Sequence, residues 1–203
     1  MIIELKISKK PVPYKRAMNL LEKRVLDVEK GKKKELLWIL EHPRIYTGGI
    51  RSKDSEILDK NIKYISTNRG GKITLHNPGQ KIVYFVINLN KRHKDIRRFI
   101  NIIEKSVIDF LNIYKVNGKS DRKNIGIWVK NKKISAIGIR VKKWIAYHGC
   151  SININNNLLD YKKIIPCGLD NKNITSLKEL GIHEIDNVNK NLKIIFLKNL
   201  SKI

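Results

Sequence analysis

A chain of 203 residues, 41% of them hydrophobic, can bury a sizeable core and suits one compact domain spanning residues 1–203. Two cysteines, Cys150 and Cys167, cannot build a disulfide framework, and the longest apolar run, Ile82 to Ile87, is too short to cross a bilayer, so a cytoplasmic setting is expected. The net charge of +25 fits either a lysine-rich composition spread evenly along the chain or an acidic macromolecular partner, and it excludes neither.

In chain order, Met1-Ile2-Ile3-Glu4 places an acid where a secretory leader needs an apolar run, and Leu5 to Ile7 closes an opening strand. Tyr14, Met18, Leu21, Val25 and Val28 share one face of a helix that Gly31 stops. "ELLWILE", Glu35 to Glu41, reads as a buried strand, and "HPRIYTGGI" after it as a loop, from its proline and paired glycines. Tyr64 to Thr67 and Lys72 to His76 read as strands separated by Gly70-Gly71, Asn77 to Gln80 as a turn, and Lys81 to Leu89 as a further strand.

A second amphipathic helix covers about Lys94 to Tyr114, with Ile96, Ile100, Ile103, Val107, Leu111 and Tyr114 on one side. Strands follow at Ile125 to Val129, Lys133 to Val141 and Trp144 to Asn153. Ser176 and Glu179 have capping-box spacing, which predicts a helix just after Cys167, and a last helix spans about Asn189 to Ser201. With no repeat and no linker, the pattern is that of an α+β domain: a mainly antiparallel or mixed sheet flanked by helices.

The segment "RGGKITLHNPGQ", Arg69 to Gln80, puts paired glycines before a strand, where the backbone can approach a ligand closely. It lacks the ending of a phosphate loop, and a strand follows where that motif needs a helix. His42, His76, His93, His148 and His183 show no metal-ligand spacing, and the cysteines form no zinc pair, so no metal and no cofactor are expected. His93 and His183 read as surface residues. Cys150, inside a strand, reads as a small buried hydrophobe. Cys167 sits in a Pro-Cys-Gly turn, where filler and nucleophile both remain open: an ordinary thiol is only a few per cent ionised at neutral pH and needs a nearby cation or base.

Three segments, "RGGKITLHNPGQ", "KKISAIGIRVKKWIAYHGCSININ" and "IIPCGLDNKNITSL", together resemble the signature blocks of the octanoyl-[acyl-carrier-protein]:protein octanoyltransferases, with "EHPRIYTGGI" similar to an earlier block. The resemblance spans about residues 35 to 180. It implies a fold like that of the biotin/lipoate ligase catalytic domain and a reaction moving an octanoyl or lipoyl group from acyl carrier protein to a lysine of lipoyl domains. The acceptors so implied are those of 2-oxoacid dehydrogenases and the glycine cleavage H protein, with no membrane or nucleic-acid partner.

The resemblance places the acyl-thioester cysteine on Cys167 and, on Lys133, the lysine that lowers its pKa and transfers protons. It places substrate contacts on Arg69, Gly70, Gly71, Lys72, Ile73, Thr74, Leu75 and His76, on Ala136, Ile137 and Gly138, and on Gly149, Cys150 and Ser151. Backbone amides near Gly168 would serve the oxyanion, and small residues such as Ser135, Ala136 and Gly138 would give the acyl chain room. One departure is Asn77, where the family has glycine; asparagine's tolerance of left-handed backbone is expected to preserve the turn. The rival readings are an ATP-dependent lipoate or biotin ligase of the same fold, which would not need Cys167, and a basic nucleic-acid-binding protein. No aromatic RNA-binding signature, zinc finger or helix-turn-helix spacing supports the latter.

Overall fold

The computed structural model describes residues 3–166 and 173–203. Its strands, in chain order, are β1 (Ile3–Ile7), β2 (Glu35–Leu40), β3 (Ile45–Gly48), β4 (Tyr64–Ser66), β5 (Ile73–His76), β6 (Gln80–Asn88), β7 (Lys119–Ser120), β8 (Gly126–Val129), β9 (Lys132–Lys142) and β10 (Ile145–Asn153). Seven of them form one sheet in the order β1-β2-β6-β10-β9-β8-β7, and three form a second in the order β4-β3-β5. Each sheet holds one parallel pair, β1 with β2 and β3 with β4; the remaining pairings are antiparallel. This is the mixed, mainly antiparallel α+β architecture expected.

The period-2 alternation of strands divides the core between the faces of the large sheet. Leu36, Trp38 and Leu40 of β2 join Ile82, Tyr84 and Val86 of β6 on one face, beneath Ala17, Leu21, Val25 and Val28 of helix α1 (Tyr14–Glu29). Leu37, Ile39, Val83, Phe85 and Ile87 turn to the other face. Helix α2 (Ile96–Ile113) covers them with Phe99, Ile103, Val107 and Phe110, and helix α3 (Val188–Leu200) with Leu192 and Phe196. The run "ELLWIL" is therefore buried at every position because it feeds two cores at once. Among the described residues no helix is long and apolar enough to cross a membrane.

Three expectations need correction. Ile45–Gly48, expected within a loop, is β3, the central strand of the small sheet: Tyr46 packs with Ile73, Leu75, Tyr161 and Ile164, so pairing and burial override the proline and glycines that flank it. The helix expected after Ser176 is a single 3-10 turn, Lys178–Leu180; the cap bond forms, with Glu179 N donating to Ser176 Oγ at 3.1 Å, but Gly181 at φ +83° ends the run. Asn77 is not left-handed; Gly79 takes that conformation, at φ +87°. The Asn77 side chain is buried and donates to Asn157 O at 2.8 Å while accepting from Asn156 Nδ2 at 3.0 Å. It ties the turn to the segment after β10, a use a glycine could not serve.

The start of β2 and the end of β6 are tied together by a buried ion pair. Both terminal nitrogens of Arg92 lie 2.6 Å from the Glu35 carboxylate, which also accepts from Asn88 N at 2.7 Å. Removing one member of such a pair leaves a buried charge uncompensated, so Glu35→Ala is expected to cost about 3–5 kcal/mol of stability in urea unfolding. Replacing both residues by apolar side chains of similar volume is expected to recover most of that loss.

Candidate active site

A cavity of about 610 Å³ lies where the loop between β4 and β5 meets strands β9 and β10. The loop lies directly on β9: a Cβ on Gly138 would stand 3.2 Å from Gly70 O, and one on Gly70 would stand 3.0 Å from Ile139 O. Two backbones approach this closely only when neither carries a side chain. Arg140 Nη1 donates to Asn68 O at 3.0 Å and pins the loop from the other side.

Of the eight residues expected from Arg69 to His76, six line the cavity: Arg69, Gly70, Gly71, Lys72, Thr74 and His76. Ile73 and Leu75 point the opposite way, fully buried in the small-sheet core, because alternate residues of β5 face opposite sides. Ala136, Ile137, Gly138, Gly149, Cys150 and Ser151 also line the cavity, whereas Ser135 does not. Cys150 is only 3% exposed, and burial pushes its thiol well above the usual range, as suits a small apolar filler and not a nucleophile. Cys167 and Gly168 lie outside the described residues.

Lys133 lines the cavity and is only 5% exposed. Its ammonium nitrogen lies 5.3 Å from the centre of the Trp128 ring and pairs with no carboxylate among the described residues. Gly126, at φ +144°, makes room for it: a Cβ there would overlap the Lys133 stem at Cε. The chain on either side of Cys167 is anchored. Ile165 N donates to Glu56 O at 2.7 Å, and beyond the cysteine Ile174 bridges to Lys133 while Thr175 N donates to Lys133 O at 3.0 Å.

Arg69 is a second buried cation, 9% exposed. Its guanidinium donates to Thr47 O at 2.7 Å, Thr47 Oγ1 at 2.9 Å and Gly70 O at 3.0 Å, and Nε has no partner among the described residues. These contacts orient the group without neutralising it. Arg51, Lys72, Arg122 and Lys123 add further positive charge to the cavity wall, and among the described residues no aspartate or glutamate lines it. Lys72 is offset by Glu56 at 2.9 Å.

His76 and Tyr84, which line the cavity, form an aromatic box with Tyr14 and His42, the His42 and His76 ring centres 5.6 Å apart. His42 Nδ1 faces Val12 O at 2.6 Å and so carries the proton, leaving Nε2 to accept from the Tyr84 hydroxyl at 2.8 Å. His76 Nδ1 donates to Gln80 Oε1 at 2.8 Å, while Gln80 Nε2 is spent on Asn153 Oδ1 at 2.9 Å and Tyr161 OH at 3.0 Å. Among the described residues no cluster of three His, Cys, Asp or Glu side chains could hold a metal ion. The sequence reading missed Gly126, Trp128, Thr47 and the box around His76. Each acts through a contact made across strands, which residue order does not reveal.

Residues 13–195 match the family described as the lipoyl protein ligase A/B catalytic domain. The chain belongs to that family. It is 39% identical over 198 residues to the octanoyltransferase of Wolbachia sp. subsp. Brugia malayi, covering 93% of this chain and 97% of that protein. It is 42% identical over 188 residues to the octanoyltransferase of Ehrlichia chaffeensis, covering 90% and 88%. Its fold is that of a lipoate-protein ligase A crystallised with ATP, with a TM-score of 0.75 at 16% identity over 98% of this chain and 86% of that one. A bipartite ligase from Thermoplasma acidophilum superposes with a TM-score of 0.73, at 16% identity, over 99% and 84%. Membership of this family makes the chain an acyl-transferring enzyme.

The three histidines of the site fix its response to acid. Burial lowers His42 to about 4. Burial, then the neighbouring His42 and Arg69, lower His76 to about 3; burial, then Arg69 and Arg140, lower His148 to about 3. The unfolded chain would take up these protons near the ordinary value of 6.5, so it binds more protons than the folded state below that pH. Stability is therefore expected to be full above about pH 6.5 and to fall as pH drops from there toward 3–4, by up to ~1.4 kcal/mol per pH unit for each histidine. Urea midpoints across that window test this, and His42→Gln is expected to flatten the decline.

Proposed function

We propose that residues 1–203 form one catalytic domain that moves an octanoyl or lipoyl group from acyl carrier protein, through a thioester on Cys167, to the lysine of a lipoyl domain. The acceptors would be the lipoyl domains of 2-oxoacid dehydrogenases and the glycine cleavage H protein. The observation that carries this reading is the buried Lys133 ammonium. It lines the cavity, pairs with no carboxylate among the described residues and is tied by its own backbone to the segment following Cys167.

A buried cation without a counter-ion favours an anion beside it, and a thiolate is such an anion. The Cys167 thiolate attacks the acyl carbon of the donor thioester; the new carbon–sulfur bond forms and the carrier thiolate leaves. The acceptor amine then attacks the acyl-enzyme, its nitrogen–carbon bond replacing the bond to Cys167, and Lys133 passes the surplus amine proton to the departing thiolate. Thioester is exchanged for thioester and then for amide, a downhill course that needs no ATP. Backbone amides near Gly168 would meet the oxyanion that develops at each step, with Arg69 adding positive charge to the cavity wall. The apolar wall of Ile96, Ile100, Ile137, Ile139 and Val141 offers an eight-carbon chain about 0.8 kcal/mol per buried methylene. The cationic mouth suits acidic carrier and acceptor domains, and their association is expected to weaken with salt.

Intact mass after incubation with octanoyl-acyl carrier protein, without ATP, tests the assignment. One octanoyl adduct is expected on the wild type and none on Cys167→Ala. In Lys133→Ala the adduct is expected to form at least ~100-fold more slowly. An unmodified wild-type protein would sink the nucleophile assignment.

A further inference from the structure

Lys133 lies beyond the last pairing of β9 with β10, which ends where Ile152 faces Ser135. On its other side it is paired with Trp128 of β8. Where the pairing with β10 ends, residues that follow Cys167 in the chain take its place. Ile174 forms a parallel bridge with Lys133, and Thr175 N donates to Lys133 O at 3.0 Å. One side of the lysine backbone therefore depends on a segment that is not itself a strand of the sheet.

Asn153, the last residue of β10, closes the gap with its side chain. Its Nδ2 donates to Thr175 O at 2.9 Å, and its Oδ1 accepts from Gln80 Nε2 at 2.9 Å. A carbonyl oxygen only accepts, so Thr175 O fixes which end of the Asn153 amide faces it. Gln80 is fixed in turn, with Oε1 left for the Nδ1–H of His76 in the cavity wall. An unbroken chain of hydrogen bonds thus runs from His76 through Gln80, Asn153 and Thr175 to Lys133.

The Asn153 backbone also holds this segment, its carbonyl accepting from Leu177 N at 3.2 Å, but any residue at that position would keep this bond. The bond to Thr175 O belongs to the side chain alone. Asn153 and Thr175 are both buried, so water does not readily replace a lost donor. An apolar residue of similar size would fill the space and leave Thr175 O without that partner.

We propose that Asn153 is a positioning residue: by holding Thr175 against β9 it keeps the Lys133 ammonium in place for the Cys167 thiolate. The role rests on the transfer reading above and names the group that sets the geometry of its cation. Asn153 does not line the cavity and acts through Thr175. The same contact anchors the chain after Cys167, as the bond from Ile165 N to Glu56 O at 2.7 Å anchors it before. A cation lowers the pKa of a thiol only at close range, so a retreat of either group weakens the thiolate.

The pH profile of Cys167 alkylation, read by mass at that residue, separates positioning from plain stability. Asn153→Leu is expected to raise the inflection by at least about half a pH unit toward the ordinary thiol value of about 8.5. Its acylation by octanoyl-acyl carrier protein at neutral pH is expected to slow about tenfold. Glu35→Ala, which breaks the ion pair with Arg92 outside the cavity, is expected to keep the wild-type inflection. In a Lys133→Gln background the change at Asn153 is expected to move the inflection no further, because a residue acting through the ammonium has no effect once it is gone.

An Asn153→Leu profile that coincides with wild type while Lys133→Gln shifts would overturn the role. A matching shift in Glu35→Ala, or an added shift in the Lys133→Gln background, would overturn it too. Coincident profiles in Lys133→Gln and wild type would overturn the transfer reading, and the role with it. Should Asn153→Leu not fold, hydrogen exchange in the wild-type protein tests the clamp. The Thr175 amide is expected to exchange as slowly as the paired amides of β9 and β10, and exchange at the rate of an open loop would overturn the role.

Discussion

Two buried cations without carboxylates among the described residues, Lys133 and Arg69, are the constraint around which the cavity is built. Burying a charge unpaired is costly, and proteins ordinarily supply a counter-ion, as this one does for Arg92 with Glu35. At the cavity it supplies dipoles and a ring face instead: Thr47 O and Gly70 O for Arg69, and the indole of Trp128 for Lys133. Both groups are thereby oriented without a carboxylate partner among the described residues. The local irregularities follow from this demand. Gly126 clears the Lys133 stem, and Gly70 and Gly138 let the arginine-bearing loop lie on β9.

Burial governs the histidines, and the same positive field adds to it at His76 and His148. His42, His76 and His148 are buried, and Arg69 bears on two of them, so their rings stay neutral and act as hydrogen-bonding parts. The field also disfavours an ammonium within the cavity. Among the described residues no carboxylate lines the cavity to pair with Lys133.

Much of this could be read in the residue order, because most elements carry a single clear period. The helix faces of α1 and α2 and the long strands followed from 3.6- and 2-residue spacing, and the paired glycines marked the loop over the cavity. The small sheet was harder. Ile45–Gly48 has too few residues to show alternation, and its strand character comes from β5 and β4 on either side. Ile73 and Leu75 fell inside a contiguous block of expected contacts, yet a strand can present only every second residue to a ligand. Lys133 could be named only by resemblance, since nothing in "KNKKISA" distinguishes one lysine from its neighbours; its burial does. The left-handed backbone at His148 and the use of Asn77 as a tie are three-dimensional facts with no local sequence signal.

The central claim is that Lys133 stands beside Cys167 and sustains its thiolate. The pH profile of Cys167 alkylation, read by mass at that residue alone, tests it most directly, since Cys150 is buried and its thiol held protonated. The account predicts an inflection well below the ordinary thiol value of about 8.5 in the wild type, moving back up toward that value in Lys133→Gln. Profiles that coincide in the two proteins would contradict it.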